Sequence, residues 1–255
     1  MTRVVTLPDA QAAAEYAAGE IARALGEALD RRGVAHPALA GGNTPRLAYQ
    51  VLASLMDDWG AVELWYGDER CVEPDDPESN HRLVAESLLA HIAGAGRIAP
   101  QEHRIRGELG PEAAAREYAE ELRARVAPAE QHGLPVLDVA LLGIGEDGHT
   151  ASLFPGHPEV QDSSGALCLP VHDAPKPPPE RVTLSLPVLR AARCPLLLVT
   201  GAAKAEALGA ALRGPDQRVP ASLLASERLL VVADAAAAAR IDPSDCSYAG
   251  ETAAR

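Results

Sequence analysis

One glycine-rich segment combines a histidine with a carboxylate. In GIGEDGHTASLF, residues 143–154, His149 follows Asp147 by two positions. A neutral imidazole, with an unperturbed pKa of about 6.5, can accept a proton from water at physiological pH. The segment also matches G-x-G-x-x-G and a P-loop with histidine in place of lysine, but Glu146 and Asp147 would oppose a pyrophosphate and Pro155 would truncate the following helix. A general base and a buried, hydrogen-bonded histidine remain as the two interpretations of His149.

A second motif, GGNTP at residues 41–45, has the composition of a phosphate-binding turn. Gly41 and Gly42 let the backbone approach an anion, and Thr44 adds a hydroxyl group. Thr44 can also cap a helix whose first position is Pro45, so that free backbone amides point at the anion. An ordinary capped turn fits the same residues.

Two further loops carry charge that suits a sugar phosphate. In GDER, residues 67–70, Asp68 can orient sugar hydroxyls and Arg70 offers a planar donor fork to a carboxylate or phosphate. A solvated turn with a local ion pair explains this loop equally well. Lys204 follows an apolar run and is one of only two lysines in the chain, the other being Lys176. The compact charge of its ammonium group suits a phosphate. The alternative interpretation is that Lys204 is an ordinary surface lysine without a ligand.

Helices that alternate with short apolar strands must position these loops. Helical periodicity with capping residues predicts helices over 9–32, 45 onward, 81–92, 111–126 and 202–213. Apolar runs predict strands over 37–40, 62–66, 137–143, 181–189, 195–201 and 228–234. This order predicts an α/β fold with a largely parallel, Rossmann-like sheet covered by helices on both faces.

Ligands of such sheets bind beyond the carboxyl ends of the strands. The four loops at those ends are 41–44, 68–70, 143–150 and 201–204, and we expect the chemistry among them. Residues 173–181, DAPKPPPER, predict a proline-rich surface loop. No internal repeat or linker divides the chain, so residues 1–255 are predicted to form a single domain.

Composition narrows the class of partner. The 255 residues carry a formal net charge of −13 with a pI of about 5.0, which disfavours nucleic acid and anionic membranes as partners but leaves a small anion possible. No apolar signal core and no run of about 18 apolar residues occurs, which predicts a cytoplasmic protein. Cys71, Cys168, Cys194 and Cys246 are widely spaced, which predicts reduced thiols and no metal site.

Taken together, the motifs resemble the 6-phosphogluconolactonase family and, more widely, glucosamine-6-phosphate deaminases and ribose-5-phosphate isomerases. The resemblance rests on GGNTP, on LWYGDERCVEPDDPESNHRLVAESLL and on LDVALLGIGEDGHTASLFPG, and it runs from about residue 38 to 204. It implies hydrolysis of 6-phospho-D-glucono-1,5-lactone in the oxidative pentose phosphate pathway. The implied partner is a small sugar phosphate, bound by a monomer or small homo-oligomer without metal or organic cofactor.

The resemblance also implies roles for single residues. His149 is the implied general base, Asp147 positions it, and Arg70 or a backbone amide steadies the oxyanion. The implied contacts of the phosphorylated substrate are Gly41, Gly42, Asn43, Thr44, Arg70 and Lys204, with Arg181 a further candidate. Members of the family more usually have serine where Asn43 stands, and an amide can still donate to phosphate.

Two alternatives to a lactonase are a deaminase or isomerase and a non-catalytic sugar-phosphate-sensing domain. A deaminase or isomerase relative more often has an aromatic residue at the position of Arg70, and DGHTASLFP also favours the lactonase branch. A sugar-phosphate-sensing domain of a transcription regulator would accompany a basic helix-turn-helix segment, which this acidic chain lacks.

Overall fold

The computed structural model describes residues 2–129 and 133–242, together with the backbone of 251–252. The strands in this part of the chain are β1 (Arg3–Leu7), β2 (Pro37–Leu39), β3 (Glu63–Tyr66), β4 (Asp68–Arg70), β5 (Gln101–Glu102), β6 (Val139–Leu142), β7 (Cys168–Val171), β8 (Arg181–Leu184), β9 (Cys194–Val199), β10 (Leu230–Asp234) and β11 (Glu251–Thr252). The α-helices are α1 (Ala10–Arg32), α2 (Thr44–Leu55), α3 (Asn80–Val84), α4 (Ala90–Gly94), α5 (Pro111–Arg125), α6 (Leu186–Ala191) and α7 (Ala205–Leu212). A π-helical turn, Ala85–Leu89, joins α3 to α4.

The main sheet is parallel throughout its described pairs, in the order β11-β1-β10-β9-β6-β2-β3-β5. Strands β6 and β10 are buried along their whole length, as expected for strands covered on both faces. The predicted α/β fold with a largely parallel sheet is therefore confirmed.

The order of the strands creates a switch point between β2 and β6. From β1 the chain crosses the sheet in one direction through β2, β3 and β5, and from β6 it returns in the other direction through β9 and β10. Because parallel crossovers are right-handed, α1 to α4 cover one face and α5 to α7 the other. In agreement, α1 packs on α2, which packs on α4. The connections that follow β2 and β6 run to opposite faces of the sheet, so a crevice forms between the carboxyl ends of these two strands.

Helix α1 follows the predicted capping pattern. The Asp9 side chain accepts a hydrogen bond from the backbone N of Ala12 at 2.8 Å, and Gly33 ends the helix in the left-handed region at φ 73°. Ile21 and Leu25 are buried on one face. This long helix packs against α2 and against strands β9 and β10 of the main sheet.

Several sequence predictions need correction. Residues 181–189 do not form one strand, because Pro187 opens helix α6 directly after β8. Asp68–Arg70 is not a loop but strand β4, which pairs antiparallel with β8 in a second sheet of order β4-β8-β7. Helix α2 begins at Thr44 rather than after it, with Asn43 at the cap position and no side-chain capping bond. Strands β1, β5 and β7 were not predicted.

Gly67 joins the two sheets. Its backbone N donates to the Leu39 carbonyl of β2 at 2.9 Å, and its carbonyl accepts from the Leu184 N of β8 at 2.8 Å. The chain therefore passes from β3 into β4 at the carboxyl edge of the main sheet. This turn places the second sheet beside the switch point.

A large cluster of buried apolar side chains extends from β1 to β10. No described helix has the length and apolar character to cross a membrane. Cys71, Cys168 and Cys194 are free thiols, and Cys246 lies outside the described residues.

Candidate active site

A cleft of about 460 Å³ opens at the switch point, beyond the ends of β2 and β6. Residues from all four predicted loops and from the proline-rich loop 173–181 line it. Of the residues predicted for the site, those lining the cleft are Gly41, Gly42, Asn43, Thr44, Asp68, Arg70, His149, Arg181 and Lys204. Asp147 is an exposed residue that does not line the cleft, and it contacts the site through His149.

His149 and Asp147 form a hydrogen-bonded pair. His149 Nδ1 lies 2.5 Å from Asp147 Oδ1, and the His149 backbone N lies 3.3 Å from the same oxygen. A carboxylate can only accept, so Nδ1 carries the proton and Nε2 holds the lone pair. The side chain of His149 is 18% exposed, which leaves the ring accessible from the cleft. In this geometry Nε2 can accept a proton from a water molecule in the cleft, as the predicted general base requires.

The loop backbone holds this pair in place. Gly145 donates from its N to the His149 carbonyl at 2.8 Å, and Thr150 Oγ1 donates to the Gly143 carbonyl at 2.9 Å. A Cβ on Gly145 would lie 2.1 Å from His149 Nδ1 and 2.4 Å from Asp147 Oδ1. Only glycine leaves room for the imidazole and carboxylate to meet above it.

Burial and charge set the pKa values of the pair. Burial lowers the pKa of His149, the negative charge of Asp147 opposes this, and the positive charge of Lys176 adds to the lowering. Burial alone would raise the pKa of Asp147, but the charge and hydrogen bonds of His149, with Lys176, lower it overall. The resting pair is therefore a neutral imidazole beside an ionised carboxylate.

The pH dependence of kcat/KM tests this assignment. Because the pKa of His149 lies below its ordinary value of 6.5, the neutral ring should predominate at pH 6.5 and above. We expect kcat/KM to hold a plateau there and to fall as pH drops through the lowered pKa. Initial rates of the lactone hydrolysis that the sequence resemblance implies, corrected for the spontaneous reaction, measure this profile. An acidic limb centred above 6.5 would contradict the assigned base.

Positive charge is concentrated in the cleft. Its lining contains four cationic side chains, Arg70, Lys176, Arg181 and Lys204, against two carboxylates, Asp68 and Glu78, in a chain whose net charge is −13. Such a local excess attracts an anionic substrate. The cleft therefore suits a phosphorylated ligand.

Two of these cations are paired with carboxylates that belong to the protein. Arg70 Nη1 donates to the Glu78 carbonyl at 2.5 Å and lies 3.5 Å from the Glu78 carboxylate, while its buried Nε has no partner among the described residues. Lys204 Nζ lies 3.8 Å from Glu146 Oε1. Both ion pairs border solvent, where such pairs contribute little free energy. A phosphate can therefore replace the carboxylate in either pair at a small cost in free energy.

Arg181 is only 4% exposed and holds the proline-rich loop. Its Nε donates to the Pro178 carbonyl at 3.0 Å and its Nη2 to the Lys176 carbonyl at 2.9 Å. Its guanidinium lies 5.5 Å from the centre of the Phe154 ring, which in turn lies 4.7 Å from the imidazole of His149. Burial lowers the pKa of Arg181. Much of its donor capacity is used within the protein.

Asp68 and Asn80 connect the cleft to helix α3. Asp68 Oδ2 accepts from Ser152 Oγ at 2.6 Å, and Asp68 Oδ1 accepts from Asn80 Nδ2 at 3.2 Å. Asn80 also donates to the Asp68 carbonyl at 2.8 Å. A Cβ on Gly41 would lie 1.8 Å from Asn80 Oδ1, so this glycine permits the turn at 41–44 to approach α3.

Glu69 anchors Arg70. Its buried carboxylate accepts from the backbone N atoms of Arg70, Asn80 and His81, each at 2.8 Å, and from Ser79 Oγ at 3.1 Å. Burial raises the pKa of Glu69, and the three backbone hydrogen bonds oppose that rise. The carboxylate thus fixes β4 to the start of α3.

Sequence inspection missed Asn80, Lys176 and Phe154 as site residues. Asn80 directly precedes the predicted helix 81–92, and Lys176 lies in the predicted surface loop 173–181. The scarcity of lysine was the available signal for Lys176, because both lysines of the chain line the cleft. Within the described residues, no group of three or more His, Cys, Asp or Glu side chains is arranged to hold a metal ion.

The fold and the site together define a doubly wound α/β protein with a hydrogen-bonded histidine–aspartate pair at its switch point. The chain belongs to the family of glucosamine-6-phosphate isomerases and 6-phosphogluconolactonases, whose model matches residues 8–232.

Similar proteins agree with this assignment. The 6-phosphogluconolactonase of Streptomyces coelicolor is 36% identical over 254 residues, 95% of both chains. That of Mycobacterium tuberculosis is 36% identical over 240 residues, which cover 92% of this chain and 96% of the other. A solved 6-phosphogluconolactonase from Shewanella baltica is 32% identical with a TM-score of 0.79, covering 92% of this chain and 98% of that one. A monomeric glucosamine-6-phosphate deaminase is 23% identical with a TM-score of 0.76 over 94% of this chain and 100% of its own, a likeness of fold alone.

Proposed function

We propose that this protein hydrolyses 6-phospho-D-glucono-1,5-lactone to 6-phosphogluconate, the lactone-opening step of the oxidative pentose phosphate pathway. The observation that carries this function is the His149–Asp147 pair, which borders a cleft rich in positive charge at the switch point. The names of the similar proteins above support the choice of substrate.

The reaction uses His149 first as a base and then as an acid. Its Nε2 accepts a proton from water while the water oxygen forms a bond to C1 and the carbonyl electron pair moves onto the carbonyl oxygen. The pair then returns, the bond between C1 and the ring oxygen breaks, and the imidazolium gives its proton to that oxygen. The carboxylic acid formed loses a proton to solvent. Asp147 stabilises the imidazolium between the two steps.

The phosphate is proposed to bind between the turn at 41–44 and Lys204. Helix α2 has no side-chain cap; Pro45 has no N–H and the Arg46 N donates to the Asn43 carbonyl at 3.3 Å, so the Thr44 N is the backbone donor that the start of the helix offers to an anion. Lys204 stands at the start of α7, where the helix dipole disfavours a cation. A bound phosphate offsets that unfavourable placement. Asp68, Arg70 and Arg181 remain proposed contacts of the sugar or phosphate.

Lys204→Met should weaken binding of the phosphorylated lactone. Loss of one charge-assisted contact costs about 1.5–3 kcal/mol, which raises KM by roughly 10- to 150-fold. The kcat/KM for unphosphorylated glucono-1,5-lactone should change little. The ratio of kcat/KM for the phosphorylated lactone to that for the unphosphorylated lactone should therefore fall. Steady-state kinetics on both lactones measures this, with Arg213→Met, at the far end of α7, as the control. An unchanged preference would move the phosphate anchor to Arg181.

The decisive test of function is acid release from freshly prepared 6-phosphogluconolactone above the spontaneous rate. Ammonia release from glucosamine 6-phosphate tests the deaminase alternative in parallel. Acceleration of the first reaction alone supports the lactonase. Acceleration of the second alone would overturn it.

The cellular setting is part of the same proposal. The free thiols of Cys71, Cys168 and Cys194 suit a reducing compartment, which supports a cytoplasmic location. The proposal includes a monomer or small homo-oligomer.

A further inference from the structure

Lys176 is the lysine of the cleft without a carboxylate partner. Lys204 lies 3.8 Å from Glu146 and Arg70 lies 3.5 Å from Glu78, whereas Lys176 makes no ion pair within 4.0 Å among the described residues. Lys176 is an exposed residue of the loop 173–181, so its ammonium group is open to solvent and to a ligand in the cleft. An anion that arrives during the reaction can fill the place beside Lys176 without displacing a carboxylate.

The loop that carries Lys176 is tied to the base. Arg181 binds the Lys176 and Pro178 carbonyls, and the Ala174 N donates to the Pro179 carbonyl at 3.0 Å. Arg181 lies over the Phe154 ring, and Phe154 packs against His149. This chain of contacts fixes the loop with respect to the imidazole, so the position of its lysine is set by buried groups.

The charge of Lys176 reaches the reacting end of the cleft. It lowers the pKa of His149 and also that of Asp147. Among the other cations of the lining, Arg70 faces the Glu78 carboxylate, Lys204 faces Glu146, and Arg181 donates to loop carbonyls. Lys176 lines the same cleft as His149 and, unlike Arg70 and Lys204, can approach a substrate oxygen without leaving a carboxylate of the protein.

We infer that Lys176 is the oxyanion donor of the lactonase, binding the C1 oxygen through its ammonium group. This inference rests on the proposed function. As water adds to C1, the negative charge that develops on the carbonyl oxygen is met by Nζ, and the carboxylate of the product occupies the same position. Lys176 stays protonated throughout, and the transferred proton passes only between water, His149 and the ring oxygen. A donor that is already unpaired requires no rearrangement when the charge appears.

Binding of two stable ligands isolates this contact. 6-Phosphogluconate carries a carboxylate at C1, and glucitol 6-phosphate carries an alcohol there, with the rest of the molecule shared. In calorimetric titrations the wild type should bind 6-phosphogluconate more tightly by roughly tenfold or more, because one charge-assisted hydrogen bond is added. Lys176→Met should abolish this difference while the affinity for glucitol 6-phosphate stays the same. Lys176→Arg should restore part of it.

Kinetics supplies a second and independent readout. Lys176→Met should lower kcat for the lactone by roughly 10- to 1,000-fold, the usual effect of removing an oxyanion donor, with a much smaller change in KM. Removal of the positive charge should also raise the pKa of His149, so the acidic limb of kcat/KM should move to higher pH. Arg116→Met removes the same charge from the exposed face of α5, outside the cleft, and should change neither quantity.

The outcomes separate the two proposals. If wild-type protein hydrolyses the lactone but Lys176→Met keeps the wild-type affinity ratio and acidic limb, Lys176 is not the donor and the function stands. If the wild type neither accelerates lactone opening nor distinguishes the two ligands, the proposed function fails together with this inference. Both variants alter an exposed loop residue, so thermal unfolding should match the wild type.

Discussion

Replacement of His149 by alanine should lower kcat by about two to four orders of magnitude, because a positioned general base is lost. The fold should survive, since the side chain belongs to a loop and its main packing partner is the single ring of Phe154. Acid release from 6-phosphogluconolactone measures the rate, and thermal unfolding verifies the fold. Spontaneous opening accelerates in alkali, so the comparison is best made near neutral pH with the background subtracted.

Chemical rescue sharpens this experiment. The alanine variant leaves a space beside Asp147 and Phe154 into which free imidazole can diffuse, so added imidazole should restore part of the lost rate. Asp147→Asn with imidazole is the matched control, because native His149 still fills the space and no rescue should occur. A folded His149→Ala protein with near-wild-type turnover would falsify the assignment and direct attention to Asp68 or Asp147.

Gly145→Ala is the second change with a large expected effect. The added methyl group would lie 2.1 Å from His149 Nδ1 and 2.4 Å from Asp147 Oδ1, closer than atoms can approach. Both side-chain ends can swing away, so the protein should fold, but the Nδ1 hydrogen bond would break and the ring would turn from the cleft. A misplacement of about 1 Å can cost roughly 100-fold in rate, and kcat should fall at least that far.

The same loop offers a control for this variant. A Cβ on Gly143 meets no atom within 4 Å, so Gly143→Ala adds the same methyl group beside the cleft without a collision. It should retain most of its activity. Equal losses in the two variants would show that the loop backbone, rather than the histidine–aspartate contact, is the sensitive element. The NMR signal of the His149 ring protons would report the displaced imidazole directly.

Local signals account for what the sequence could predict. Asp9 and Gly33 bound α1 because capping depends on neighbouring backbone groups, and short apolar runs between glycine turns mark the strands of the parallel sheet. The carboxyl ends of parallel strands share one edge, so loops far apart in the chain were expected together. The cleft at 41–44, 143–150 and Lys204 confirms that expectation of placement, while the roles of these residues remain predictions.

What could not be predicted depends on contacts distant in sequence. The strand character of Asp68–Arg70 comes from pairing with β8, more than a hundred residues later. Arg181 was expected to face the substrate, but its partners are carbonyls of a loop that local composition marks only as exposed. Lys176 lines the cleft because Arg181 holds the loop 173–181 beside it. Neither the periodicity nor the spacing of residues in the sequence reveals this contact. Thr44 was predicted to cap α2, and a one-residue shift at a helix end is beyond what capping preferences resolve.

The chain contains a single phenylalanine, and it is the ring wedged between His149 and Arg181. Biosynthetic incorporation of a fluorinated phenylalanine would therefore label one position, fully buried beside the imidazole, without any change in the coding sequence. The fluorine resonance would register protonation of that imidazole through the altered local field, in the unmodified catalytic loop and under turnover conditions. Because the chain has only one phenylalanine, a single fluorine signal would report the protonation of His149 that we propose.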